Sequence, residues 1–378
     1  MTHRNHALAA ALCLTLLCVG VLTGCGPKQE AVSSSGSTSA PAAASSQPPA
    51  ESAQPELPDP TEVLAVSGPE AIQEELTQAI CQLRQPRPMD ISAARLEQPE
   101  LDVKNLYYRI TAQDPGLKYA YDLTAEVRDA QLICSLHYMP YKTGAFPEGF
   151  DGVEVSSLKD LISAAEAHMG PDPAPVRITD TALDPDTMNR ALQQVGGGYL
   201  YCTLSPDATE VRYSAPMDRT VEDCLDALNH ASELADQVIA QVVTPDMTQR
   251  ERAQALYAYV TTNVAYDQRY YSDKAGMPYE SQTALGALRD KTAICGGYAN
   301  AVKLLFEKAG IPCYNVTGRY FGEHHMWSIA KLDGEWLWFD ATSDRGSTGE
   351  FGFLRFALTE LDPTKYRWNE NEVSPLLD

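Results

Sequence analysis

In "KTAICGGYANAV", residues 291–302, one cysteine stands at the mouth of a predicted helix and is followed at once by two glycines. The helix is expected from Ile294-Cys295 to Gly310, and Pro312 two residues on completes the stop signal. Cys295 therefore occupies a first turn, where unpaired N–H groups and the positive end of the helix dipole favour thiolate over thiol. Gly296 and Gly297 each cost up to about 1 kcal/mol relative to alanine inside a helix. They are explained if something must approach the backbone closely beside the sulfur. The chemistry open to such a cysteine is acyl transfer, in which the thiolate attacks a carbonyl and an imidazole protonates the leaving group.

Beyond the helix only His324 and His325 could supply that imidazole. The segments "HHMWSIAKL" and "EWLWFDATS" flank Asp333-Gly334, a strong two-residue hairpin signal. In that register Leu332 faces Glu335, opposed residue numbers sum to 667, and His325 faces Thr342. Asp340 lies two residues from Thr342 on the same face, a diagonal neighbour within reach of the His325 ring. His324 points to the other face, with Met326, Leu337 and Phe339. Taken singly, these are more simply a buried cysteine, two loop histidines and an aspartate closing a strand. A cysteine at a helix start followed by a histidine and an aspartate on paired strands is much harder to reach by accident.

The segment from Ala287 to Asp344 resembles the transglutaminase-like core of the papain-type cysteine enzymes. The pattern is a cysteine opening a helix, a G-I-P turn at Gly310-Ile311-Pro312, H-x-W at His325-Met326-Trp327 and D-x-T at Asp340-Ala341-Thr342. The upstream "ERAQALYAYVTTNVAYD" is similar to the helix that precedes this core. The resemblance implies Cys295 as nucleophile, His325 as general acid/base and Asp340 as the residue that orients it. Gly296 and Trp327 would lie beside the substrate. The backbone N–H of Cys295 and the side chain of Gln282 are the oxyanion candidates. Ser328 stands where many members have Asn, and Ser343 where many have an aromatic residue, both expected beside the substrate site. No cofactor and no metal is implied: adjacent histidines at Glu323-His324-His325 point to opposite strand faces and make poor co-ligands.

The elements that must position these groups give an α+β fold class. A C-terminal transglutaminase-like (papain-type) domain, 246–378, carries the cysteine helix on an antiparallel sheet. It opens after Pro245, where Thr248 and Glu251 form a capping box and Ala253, Leu256, Tyr257 and Val260 form one helical face. Before it, 61–245 is a mixed region. "GPEAIQEELTQAICQL" reads as a helix with Ile72, Leu76, Ile80 and Leu83 on one face. "VKNLYYRITA" and "AQLICSLHYM" read as strands, and "VSSLKDLISAAEAHMG" as a helix closed by Gly170. A second pass runs through helix "DTMNRALQQVGG", strands "YLYCTLS" and "TEVRYSA", and a long helix from Thr220 to about Val243. The two passes suggest an α-β-β-α duplication without a shared motif. Cys134, Cys202 and Cys224 fall on apolar faces and read as core, while His137, His168 and His230 read as structural or solvated.

Residues 1–24 read as an export signal ending in Leu22-Thr23-Gly24-Cys25, which resembles a bacterial lipobox, with Cys25 as the lipidated residue. Residues 25–60 are rich in Ser, Ala and Pro and read as a disordered tether, reaching roughly 30 Å. These features predict a lipid-anchored, extracytoplasmic protein at the cell membrane. A net charge of −22 argues against nucleic acid as a partner. The expected partner is a peptide or cell-envelope protein, cut or joined at an amide, with hydrolysis favoured over transamidation. The alternative is a non-catalytic binder of peptide or cell wall that keeps the fold.

Overall fold

The computed structural model describes residues 62–216, 218–346 and 357–377. The expected signal, Cys25 and the 25–60 tether lie outside the described residues. Among those described, no helix is long and apolar enough to cross a membrane.

The first part of the chain is built twice on one plan. Strand β1 (Leu64–Ala65), helix α1 (Pro69–Cys81), strand β2 (Met89–Asp90), helix α2 (Pro99–Gln113) and strands β3 (Ala120–Arg128) and β4 (Gln131–Tyr138) form the first copy. A single turn, α3 (Pro140–Thr143), leads to the second: β5 (Val153–Val155), α4 (Leu158–Ala167), β6 (Ala174–Ile178), α5 (Pro185–Leu192), β7 (Tyr201–Leu204) and β8 (Glu210–Ser214). The sheet orders are β1-β2-β4-β3 and β5-β6-β8-β7. In each, the first pair is parallel and the other two are antiparallel. The repeating unit is thus β-α-β-α-β-β rather than α-β-β-α. Short shared signals mark it: Val-Ser at 66–67 and 155–156, Pro-x-x-Ile at 88–91 and 175–178, and Tyr-x-Tyr at 119–121 and 199–201.

Three local expectations are corrected. Residues 103–112 are helical, within α2, because Val103, Leu106, Tyr107 and Ile110 recur at helical spacing and are all buried. Pro99 opens that helix, with Glu100 and Asp102 in its first turn. Leu83 lies beyond α1 at positive φ and is 39% exposed, so only Ile72, Leu76 and Ile80 serve the core. The segment at 153 begins as strand β5, and α4 starts only after Ser157, whose hydroxyl accepts from the Asp160 N–H. That helix ends at Ala167, before Gly170.

The rest of the chain wraps one helix. α6 (Val221–Val242) and α7 (Gln249–Asn263) both begin with capping boxes, at Thr220/Asp223 and Thr248/Glu251. Short elements follow: β9 (Ala265–Tyr266), α8 (Arg269–Ser272), α9 (Ala284–Leu288) and β10 (Thr292–Ala293). Helix α10 (Cys295–Lys308) then lies against a sheet of order β13-β12-β11-β14, from β11 (Cys313–Tyr320), β12 (Glu323–Leu332), β13 (Glu335–Phe339) and β14 (Tyr366–Trp368). Gly310 takes positive φ just past α10, and the Gly310 and Ile311 N–H groups bond back to Glu307 and Phe306. That is a Schellman stop. The β12–β13 pairing follows the expected register, with Leu332 opposite Glu335 and Ser328 opposite Phe339. Asp333 and Gly334 both take positive φ, the turn that suits the twist of a hairpin.

One apolar cluster runs from Val66 to Leu376, so residues on both sides of position 245 share a core. The described residues all fall in a single unit. At its centre Phe306 of α10 meets Phe339 edge-on at 5.3 Å between ring centroids, and Tyr257 of α7 approaches Phe339 at 5.7 Å. Phe306 is fully buried. Phe306→Ala is expected to cost about 3–5 kcal/mol, read as a lowered denaturant midpoint with an unchanged slope.

Candidate active site

Cys295 is half-buried at the first position of α10, and Ile294 before it is extended. The segment Ser281–Thr283 runs alongside this first turn. The Ile294 N–H donates to the Ser281 carbonyl at 2.8 Å. A Cβ on Gly297 would stand 2.6 Å from that carbonyl oxygen and 2.7 Å from the Ala293 Cβ, and one on Gly296 would stand 3.1 Å from the Gln282 carbonyl oxygen. What approaches the glycines is therefore the chain's own backbone.

Asp267 fixes that segment, since it accepts from the Ser281 hydroxyl at 2.7 Å while paired with Arg269 through two 2.9 Å bonds. The Arg269 hydrogen bond draws its carboxyl down to about 2 against the opposing effect of burial. Gln282 turns its carbonyl inward, to the Asn300 side-chain N–H at 3.0 Å, and its side chain is exposed.

His325 and Asp340 meet as the hairpin register requires. His325 Nε2 lies 3.0 Å from Asp340 Oδ2, and both residues are buried. The ring is also hydrogen-bonded to Cys295, which leaves Nδ1 for the sulfur. Asp340 is held from several sides. Its Oδ2 accepts from the Tyr366 hydroxyl at 2.7 Å and the Ser343 hydroxyl at 2.5 Å, and its Oδ1 accepts from the Ser343 N–H at 3.1 Å.

Burial alone would lower the His325 pKa, but the bonds to Asp340 and Cys295 outweigh it and lift it to about 9. Burial pushes the Asp340 carboxyl up, and the His325 bond and charge with the Ser343 and Tyr366 bonds bring it below its ordinary value. Burial and the Asp340 charge drive the Tyr366 phenol far up, so it remains a neutral donor. Tyr266 and Tyr270 are raised chiefly by burial, with Cys295 a lesser cause for each, which places both phenols near its sulfur.

The surrounding residues depart from expectation in three ways. Trp327 is 1% exposed and stacks beneath the imidazole at 5.8 Å, so it supports the ring and does not face a substrate. Ser328 is likewise buried, donating to Asn315 Oδ1 at 3.0 Å, away from any substrate. Ser343, where the resemblance leads one to expect an aromatic residue, is a direct partner of the carboxylate. Its position three residues after Asp340 is the local signal that could have revealed this. Tyr366 lies 26 residues beyond Asp340 and has no such signal. His324 is exposed, as are His137, His168 and His230, and Cys134, Cys202, Cys224 and Cys313 are buried thiols.

Residues 236–341 match the family model described as the transglutaminase-like superfamily. The segment that carries Cys295, His325 and Asp340 is thus a transglutaminase-like domain, in a chain of mixed helices and sheets. Two solved structures are similar. One is a protein of Cytophaga hutchinsonii described as a candidate cysteine protease, 21% identical, with 30% of this chain and 37% of that one covered and a TM-score of 0.25. The other is a TGase, 15% identical, with 53% and 60% covered and a TM-score of 0.28. The chain spans less than two thirds of the length of either. No curated protein matches it.

Two outcomes follow from this geometry. A His325 pKa raised from 6.5 to about 9 stabilises the fold fully below the unfolded value, and the gain is lost as pH rises through 9. At about 1.4 kcal/mol per tenfold change in proton affinity, about 3 kcal/mol is at stake. Wild type is expected to lose that advantage over His325→Gln between pH 6 and 9.5 in denaturant titrations. Gly297→Ala raises helix propensity but forces apart α10 and Ser281, so alkylation of Cys295 is expected to slow in spite of a better helix former.

Proposed function

We propose that this protein is a cysteine enzyme that attacks amide carbonyls and carries the acyl group as a Cys295 thioester. The observation that supports it is His325 held between Cys295 and a buried Asp340 whose oxygens are occupied by three other donor bonds. His325 Nδ1 takes the Sγ proton, and the thiolate adds to the carbonyl carbon. The oxyanion falls at the N-terminus of α10, where the Cys295 backbone N–H and the helix dipole stabilise it. The imidazolium then gives its proton to the leaving nitrogen as the C–N bond breaks, which leaves the thioester. An acceptor oxygen or nitrogen passes its proton back to His325, attacks the thioester and releases the acyl product and the thiol. Cys295 and His325 carry every proton, and Asp340 keeps the ring oriented without taking one.

Cys295 is half-buried and not sealed off, so water has access and hydrolysis is the favoured outcome over transfer to an amine. The lipobox-like Leu22–Cys25 supports action at the cell envelope, from a lipid anchor, on peptide or envelope-protein substrates. Iodoacetamide labelling at neutral pH with peptide mapping tests the nucleophile. Burial pushes the Cys134 and Cys202 thiols up to about 12, so selective modification of Cys295 is expected. Asp340→Asn should slow it by about tenfold or more, since loss of an oriented base typically costs that much. Labelling of Cys295 no faster than of the other thiols would sink this reading.

A further inference from the structure

A cavity of about 420 Å³ lies between the second repeat and the β11–β12 pair, and the reaction just described makes no use of it. It approaches the Cys295–His325 pair at two places. Met326, in its wall, follows His325 on β12 with its side chain on the other face of the strand. Gly198, also in its wall, is at positive φ, and a Cβ there would stand 3.1 Å from the Gln282 carbonyl oxygen. That same oxygen is 3.1 Å from the Cβ position of Gly296, the neighbour of Cys295. One carbonyl therefore touches both the cavity wall and the nucleophile's turn.

The wall contributed by the second repeat is an edge strand. β7 ends its sheet, with β8 on one side only. The Ser205 N–H bonds to the Glu210 carbonyl, and alternation along an antiparallel pair makes Thr203 and Tyr201 bond inward to β8 as well. The N–H and C=O of Cys202 and Leu204 then point outward. Leu204 shows this directly, since its N–H bonds away from β8 to the Asn189 side chain at 2.9 Å. Cys202, a buried residue of this strand, lines the cavity.

The remaining lining mixes apolar groups, Val195, Leu200 and Met326, with polar ones and is almost uncharged. Asn189, Gln193, Thr203 and Thr317 offer amides and hydroxyls, and Tyr201 offers a ring on a residue 57% exposed. Glu372 is the one charged residue in the lining, and burial moves its carboxyl toward the neutral form against the opposing effect of the Thr317 N–H and Arg190. An outward donor and acceptor on one strand residue match the spacing of another peptide backbone, the basis of recognition by strand addition. The volume falls in the usual range for a ligand site.

We propose that this cavity receives an extended, uncharged stretch of the peptide whose amide Cys295 attacks, laid as an added strand on β7 at Cys202. The proposal rests on the acyl-transfer reading and names its substrate class. The region before residue 236 then takes a direct part in recognition, since its second repeat supplies the strand.

The test uses the intact protein carrying Cys295→Ala and a pool of acetylated, amidated, uncharged octapeptides bearing a fluorophore. Saturable binding by anisotropy is expected, and hydrogen exchange at the Cys202 amide should slow at least about tenfold when the pool is bound. Thr317→Trp, which fills the cavity from an exposed position on β11, and Tyr201→Ala should each weaken binding about tenfold, with thermal unfolding checked alongside. Absence of binding, an unprotected Cys202 amide, or binding indifferent to both substitutions would overturn the proposal. So would tighter binding of neutral chito-oligosaccharides, which would make the cavity a sugar site. Because this protein lacks the nucleophile, peptide capture is read separately from alkylation, and either idea can fail alone.

Discussion

A carboxylate that is 2% exposed persists in its charged form only if its lone pairs are spoken for. Asp340 meets that condition with His325, Tyr366 and two groups of Ser343, and the site's electrostatics follow from it. The fixed negative charge lifts the imidazole, which can then stand as a cation beside the sulfur. The donors come from β12, β14 and the turn after β13, so the sheet must close correctly before the charge is tolerated. Chemistry and folding are tied at this residue: the hydrogen bonds that make the ion affordable also aim the ring.

The placement of Cys295 depends on a steric constraint of a different kind. The backbone of Ser281–Thr283 lies so near α10 that a side chain on Gly297 would collide with a carbonyl oxygen. Asp267 holds the Ser281 hydroxyl and Asn300 holds the Gln282 carbonyl. Asn300 in turn accepts from Asn315, whose backbone N–H and C=O are both bonded to the Gln194 side chain at 2.8 Å. A chain of amides therefore runs from the second repeat to the residue beside the sulfur. Buried networks of this kind are costly to leave half-made, which gives the cysteine's surroundings a defined shape.

Much of the site was legible because its signals are local. The Asp333-Gly334 turn sets a register, and the register puts His325 diagonal to Asp340. The Gly310 and Pro312 stop, with the helix start at Cys295, bounds α10. Legibility failed where partners come from afar. Trp327 looked open to substrate because nothing nearby in sequence shows that Tyr366 and Trp368 cover it, at 5.3 and 6.0 Å between ring centroids. In 103–112 the β-branched and aromatic residues argued for a strand, but the spacing of Val103, Leu106, Tyr107 and Ile110 satisfied a helix, and burial chose the period over the propensity. The sequence suggested a duplication, but its shared signals went unseen because they are two to four residues long and separated by segments of unequal length.

The two copies also differ in a telling way at one loop. Before its Tyr-x-Tyr strand the first copy has a 3-10 turn, Pro115–Tyr119, fastened by the Asp114 carboxylate to the Gly116 N–H. At the same place the second copy has Gly196-Gly197-Gly198, all at positive φ, with Gly198 pressed against Asn300 and Gln282. A loop stripped of side chains is a poor stabiliser of its own copy but lets a neighbour come within contact distance. Duplication makes such an exchange survivable: one unit keeps the self-sufficient turn, and its twin gives up independence to pack against the half that carries Cys295.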